Sequence, residues 1–293
     1  TLAMSAASSG MCPVAFLGHR FNGLEGIRIL KEVDEANKAG RIADLAESFS
    51  ELHQKLTAAP RQFMLIGEEE KLDGMVSGFE KVWTPVEAGQ SFQPFTFTDV
   101  DQAVKQMWIT NTQVNFCARA YKTVPMDHPD AAPLSVLGGF LRNGFLHTAI
   151  REKGGAYGGG ANHDTNIGAF RFFSYRDPRL NDTLDDFDRA IDWMLSGKHE
   201  WRMVEEAILG VIGSIDKPGS PAGEARQAFH NSLHGRTKEK LKAFRQAILQ
   251  VRLEDLKRVT RAYLHPETAS TAVITSAATL EQKGDLGLDV INL

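Results

Sequence analysis

The residues best equipped for chemistry lie in one stretch, LHTAIREKGGAYGGG, at 146–160. Arg151 offers a permanently charged guanidinium with several N–H donors. Six residues on, Tyr157 offers a phenol set among five glycines. Two readings fit. In one, Arg151 and Lys153 occupy the last turn of a helix, where cations complement the dipole, and Gly154 and Gly155 supply a left-handed C-cap. That accounts for the arginine and two glycines but not for Tyr157. In the other, glycines mark a place where another backbone approaches closely. The guanidinium and phenol then hydrogen-bond peptide carbonyls or stabilise a developing oxyanion.

Other motifs carry less. There is no HExxH and no HxxEH, and HEWRM, beginning at His199–Glu200, lacks the second histidine of a helical zinc site. His230 and His234 are four apart on a predicted helix, but residue 231 is Asn, not a general-base Glu. Two imidazoles leave zinc short of a ligand, so two exposed histidines are expected and no residue is assigned as a metal ligand. GSPAG at 219–223 is not a nucleophile elbow, no GxxxxGK[ST] occurs, and GGAYGGG at 154–160 lacks the preceding strand of a dinucleotide fingerprint. Asp182, Asp185, Asp186, Asp188 and Asp192 surround Leu184, Phe187 and Ile191 at helical spacing. They read as the solvated face of an amphipathic helix, with a cation site as the alternative. Cys12 and Cys117 form no CxxC pair and read as reduced, packed thiols, which fits a cytosolic protein.

The 293 residues carry 33 basic and 37 acidic side chains, a net charge of −4, with 42% hydrophobic residues. No basic face points to nucleic acid or an anionic membrane surface, and no apolar run reaches the roughly 18 residues of a membrane span. A chain of this length folds without a metal or disulfide staple, and about two domains are expected.

The elements that must position Arg151 and Tyr157 follow from periodicity. Helices are expected at 25–36 and 41–57, a buried strand at Gln62–Gly67, and an amphipathic helix through Leu72, Met75, Val76, Phe79, Val82 and Trp83. Residues 84–98 lose all period and carry two prolines, the mark of a linker. A second unit begins near 105, with a strand at Val114–Tyr121 and a helix from Pro133 through Ile150. A strand follows at Ala169–Tyr175, then helices at 182–196, 200–215, 223–234 and 237–264, the last broken near Val251. Thr271–Thr275 reads as the final strand. Residues 41–83 and 253–282 share an order of helix, proline, apolar strand, turn and helix start. Either this recurs by chance, or one complete α+β unit follows the tail of another copy. With a first residue that is not Met, the second possibility makes the chain the C-terminal piece of a longer protein.

At IREKGGAYGGG (150–160), FFSYRDPR (172–179) and the helical order up to TRAYLHPE, the chain resembles the pitrilysin/insulinase superfamily of zinc metallopeptidases. The six-residue step from Arg151 to Tyr157 favours its presequence-protease branch. The resemblance implies an α/β-roll domain, a sheet packed against several helices. Residues 1–83 would be the end of a third family domain, 84–104 a linker, and 105–293 the fourth, which lacks the zinc motif. The helix equivalent to the zinc-motif helix reads GFLRNGFLHTAIRE here, and His147 alone cannot bind zinc as that motif does.

The function implied is the C-terminal half of a zinc metalloendopeptidase degrading short unstructured peptides. Arg151 and Tyr157 would bind the substrate backbone and stabilise the tetrahedral intermediate, while zinc and its ligands sit outside this chain, in an N-terminal half. On this reading the segment alone is inactive. No other cofactor is implied, nor a nucleic-acid or membrane partner. The location would be the bacterial cytoplasm, or an organelle matrix in a eukaryote. Two alternatives stay open, an inactive scaffold subunit of the same fold and a peptide-binding module that uses the glycine-rich strand.

Overall fold

The computed structural model describes residues 1–83, 96, 97 and 99–293, so most of the expected linker lies outside the described residues. The chain forms two compact units, one of Thr1–Arg28, Thr98–Asp216 and Glu239–Leu293, the other of Ile29–Phe97 and Lys217–Lys238. Residues 1–28 thus share a compact unit with the C-terminal part of the chain.

In chain order the elements are α1 (Leu2–Ser8), α2 (Pro13–Asn22), α3 (Leu24–Lys38), α4 (Ile42–Ala58), α5 (Glu69–Trp83), β1 (Lys105–Ile109) and β2 (Phe116–Lys122). Then come α6 (Ala131–Leu141), a π-helix (Arg142–Lys153), β3 (Gly158–Asp164), β4 (Ala169–Tyr175), α7 (Asn181–Ser196) and α8 (Trp201–Ile215). The chain continues with α9 (Pro221–Leu233), α10 (Lys238–Leu249), α11 (Leu253–Tyr263), β5 (Ser270–Thr275), α12 (Ala277–Lys283) and β6 (Asp289–Asn292). The break expected near Val251 falls between α10 and α11, where Asp255 accepts the Arg252 N–H at 2.9 Å and starts a new helix.

Six strands among the described residues form one sheet in the order β3-β4-β2-β5-β1-β6. β1 runs parallel to β5 and β6, and the remaining pairs are antiparallel. Alternation along the strands splits the core in two, because successive side chains point to opposite faces. Cys117, Tyr121, Phe170, Phe172 and Val273 pack against Leu137, Leu141, Leu146, Ile150, Phe187 and Val259 of the helical layer. Each such side chain contributes roughly 1.5–3 kcal/mol by leaving water. On the other face Ala118, Ala120, Ala169 and Ala272 meet Ala3, Ala6 and Ala7 of α1, small against small, so the helix lies close to the strands. The expected α+β class, a sheet packed against helices, is the one found.

α6 buries nine of its eleven residues, which matches its lack of a polar face. It runs without a break into the π-helix, where the sequence suggests one regular helix. β1, β3 and β6 are additions, so Thr271–Thr275 is not the final strand. β6 is four residues long and mostly exposed, too short to show a period.

In the second unit Gln62–Gly67 forms no strand. The described residues of that unit contain only helices, and an extended segment with no neighbouring strand leaves its backbone groups unpaired. Phe63 packs instead against the rings of Phe79 and Trp83, at 4.5 and 5.2 Å.

Candidate functional site

Arg151 is exposed in the last turn of the π-helix, as its position before two glycines implies. Gly155 adopts φ +77, the left-handed conformation of a helix stop, whereas Gly154 stays right-handed at φ −81. The turn closes on the helix end, with Gly155 N–H donating to Arg151 O and Ala156 N–H to Ile150 O, both at 3.1 Å. Arg151 and Tyr157 therefore flank one hydrogen-bonded turn. Neither the guanidinium of Arg151 nor the hydroxyl of Tyr157 has a hydrogen bond or ion pair within the described residues.

Tyr157 is 63% exposed and immediately precedes β3. Its N–H donates to Arg176 O at 3.2 Å, its ring packs on Tyr175 at 5.7 Å, and the Arg176 guanidinium lies 5.4 Å from its ring centre. Gly158 stands opposite Tyr175 in the ladder, and a Cβ there would fall 2.4 Å from the Tyr175 hydroxyl. A Cβ on Gly159 would stand 2.9 Å from both Ile150 and the Phe173 carbonyl. The glycines thus let the π-helix lie against β3 and let Tyr175 cross over it, leaving the Tyr157 phenol outermost.

Arg176 has φ +49, rare for a residue with a side chain. Such a conformation costs of order 1–3 kcal/mol and persists only when its surroundings impose it. Here Asn115 and Asp177 exchange two backbone hydrogen bonds at 2.8 and 2.9 Å. The buried Asp177 carboxylate accepts Arg179 N–H at 2.9 Å and the Thr183 hydroxyl at 2.8 Å. The Asn115 amide donates to the carbonyls of Asp177 and Arg179, and its oxygen accepts from Thr275 at 2.6 Å. The sequence signal for this support was the run Arg-Asp-Pro-Arg after an aromatic strand, which no periodicity argument interprets.

The remaining candidates are dispersed. His147 is exposed with Nδ1 3.3 Å from Glu152, and His230 and His234 are exposed on or beside α9. His199 Nε2 approaches the carbonyls of Trp193 and Met194 at 3.1 and 3.2 Å, clasping the end of α7. The five aspartates are not one solvated face, because Asp186 is buried between Arg179 and Arg189, and Asp188 pairs with Arg119. No group of three or more His, Cys, Asp or Glu among the described residues could hold a metal ion. Cys117 is free and its thiol is pushed up to about 12 by burial, which removes its nucleophilic form at neutral pH. Within the described residues no helix is long and apolar enough to cross a membrane.

A family model described as PreP C-terminal domain matches residues 105–276. The mitochondrial presequence protease of Yarrowia lipolytica is 31% identical over 284 residues, covering 94% of this chain and 28% of that protein. The chain thus spans little more than a quarter of the length of that relative. Among solved structures, a protease from Helicobacter pylori aligns with a TM-score of 0.56 at 13% identity, over 71% of this chain and 53% of that one. Pitrilysin aligns with a TM-score of 0.52 at 14% identity, over 76% and 25%. These two likenesses concern the fold alone. From the family match, the Yarrowia relative and the residues of the 146–160 turn together, the chain belongs to the PreP C-terminal domain family.

Proposed function

We propose that this chain is the C-terminal half of a zinc metalloendopeptidase that degrades short unstructured peptides. Arg151 and Tyr157 contact the substrate backbone in this reading. Residues 1–83 are the end of a third family domain, 84–104 a linker and 105–293 the fourth domain. The zinc ion and its ligands belong to the N-terminal half, since the lone His147 and the scattered carboxylates described above do not fit a zinc centre. The setting is an organelle matrix in a eukaryote, as the name of the Yarrowia relative suggests, or the cytoplasm of a bacterium.

One observation carries the reading. Two exposed donors, a guanidinium and a phenol, flank a single hydrogen-bonded turn, and among the described residues neither donates a side-chain hydrogen bond. In this reading both donate to one carbonyl oxygen of an extended peptide. As the carbonyl carbon becomes tetrahedral, charge grows on that oxygen and the two hydrogen bonds strengthen, which lowers the barrier. The cation over the Tyr157 ring and the tyrosine beside it hold the phenol without engaging its hydroxyl.

The test is Tyr157→Phe in the full-length enzyme. Loss of one such donor lowers kcat by about 10²–10³-fold, while the melting temperature stays near wild type because the hydroxyl has no hydrogen-bond partner among the described residues. An unchanged kcat removes Tyr157 from the mechanism. The 293-residue chain alone neither cleaves peptides nor takes up stoichiometric zinc, and finding both refutes the division between halves.

A further inference from the structure

Arg179 is the residue on which the frame of the turn converges. Its Nη2 donates to Asp186 Oδ2 at 2.9 Å and to the Ala149 carbonyl at 3.3 Å, in the last turns of the π-helix. A Cβ on Gly154 would stand 2.1 Å from that nitrogen, so the guanidinium fills the place a side chain would take. Asp186 is almost fully buried and is held by Arg189 as well. The neighbours of Arg179 grip the same turn. Pro178 lies 3.6 Å from where a Cβ on Gly155 would stand, and Arg176 O accepts the Tyr157 N–H. Through Asn115 the Arg179 carbonyl is tied to Thr275 of β5, inside the sheet.

We infer that Arg179 is a positioning residue for Arg151 and Tyr157, its guanidinium joining the buried Asp186 to the Ala149 carbonyl and seating the turn from Gly154 to Tyr157 on the sheet. It touches no substrate and acts through the two donors, so the inference rests on the function proposed above. The physical basis is geometric. A donor aimed at a developing oxyanion loses effect when displaced by about 1 Å, a shift worth up to about 10²-fold in rate. Both bonds leave one nitrogen, Nη2, at the end of a side chain longer than lysine's, so its two N–H groups reach a carboxylate and a carbonyl together.

The experiment is a kinetic cycle in the full-length enzyme with a short unstructured peptide substrate, using Tyr157→Phe, Arg179→Met and the double variant. Since Arg189 still neutralises Asp186, Arg179→Met is expected to fold. Its kcat should fall about 10–100-fold, as for other supporting partners of a reactive centre, with KM changed less than about threefold. Arg179→Lys should recover only part of the loss. In the Tyr157→Phe background Arg179→Met should lower kcat by clearly less than it does in the wild type, because one of the two donors it positions is already gone and residues acting as a unit are not additive. A merely structural arginine gives losses that multiply, and that result overturns the positioning role, as does an unimpaired Arg179→Met. Asp186→Asn, which removes the charge that anchors the guanidinium, must show the same non-additivity if Arg179→Met fails to fold. An unimpaired Tyr157→Phe overturns the proposed function, whereas an impaired one with multiplicative losses overturns only the inference about Arg179.

Discussion

Lowering the pH from 7 to 5 should weaken the sheet-bearing unit through one side chain, His163 on β3. Its Nε2 lies 3.1 Å from both the Thr123 hydroxyl and the Val124 carbonyl, and its Nδ1 lies 3.3 Å from Ser135. The ring therefore pins β3 to the segment after β2 and to α6. Burial disfavours the imidazolium and lowers the pKa to about 4 from an ordinary 6.5, outweighing the hydrogen bonds and the Asp164 charge that favour protonation. A folded-state value below the unfolded one means that the unfolded chain binds the proton first. The stabilisation is complete above pH 6.5 and is lost as the pH falls from there toward 4. Two and a half units correspond to about 3 kcal/mol at the acid limit, and about 2 kcal/mol of that is gone by pH 5. The assay is urea unfolding of wild type and His163→Gln at pH 7, 6 and 5. Other carboxylates and histidines contribute alike to both proteins and cancel in the difference. Wild type should lose about 2 kcal/mol more than the variant between pH 7 and 5. Parallel profiles, within about 0.5 kcal/mol, would falsify the account of His163 as a buried neutral ring.

Two further perturbations probe the frame of the turn. Gly159→Ala forces a Cβ onto Ile150 and the Phe173 carbonyl and should destabilise by about 1–3 kcal/mol, as overpacking does. Gly210→Ala in α8, where nothing lies within 4 Å, should instead stabilise by about 0.4–1 kcal/mol. Melting temperatures of the pair that move in the same direction would contradict the close packing of π-helix on strand. Asn115→Ala strands the carbonyls of Asp177 and Arg179 and the Thr275 hydroxyl and should cost about 2–4 kcal/mol. The check is a lower urea midpoint at unchanged slope, and a loss below about 1 kcal/mol would mean that water reaches the network.

Much of the fold was readable because burial enforces a period. The helices expected at 182–196, 200–215 and 223–234 appear within two residues of those limits, and the strand at Ala169–Tyr175 has its expected bounds. In α7 and α8 the apolar stripe that makes the segment readable is the stripe buried in the core beneath the sheet, whereas α9 keeps its period but buries no residue. Gln62–Gly67 misled for the complementary reason. An apolar run states that something is to be covered but not that a partner strand exists, and Phe63 finds aromatic rings instead. The bounds of β3 were not legible because GGGANHD carries no apolar alternation. Its strand character comes from pairing with β4 and from the closeness of the π-helix, both tertiary facts.

For the candidate site the division is similar. Residue type and spacing alone singled out Arg151, Tyr157 and their glycines, since a phenol among five glycines has no use in an ordinary strand or helix. The family followed from the same residues. What they could not disclose is why the turn holds its shape. Arg176 in a strained conformation, Asp177 satisfied by Asn115 and Thr183, and Arg179 shared between Asp186 and Ala149 come from segments separated by up to 160 residues. Local sequence sets which groups can donate and where a helix must stop. Only the assembled sheet brings distant polar atoms within hydrogen-bonding range, and buried polar groups must find those partners or destabilise the fold. That requirement turned a flexible glycine-rich stretch into a seat for two outward-facing donors.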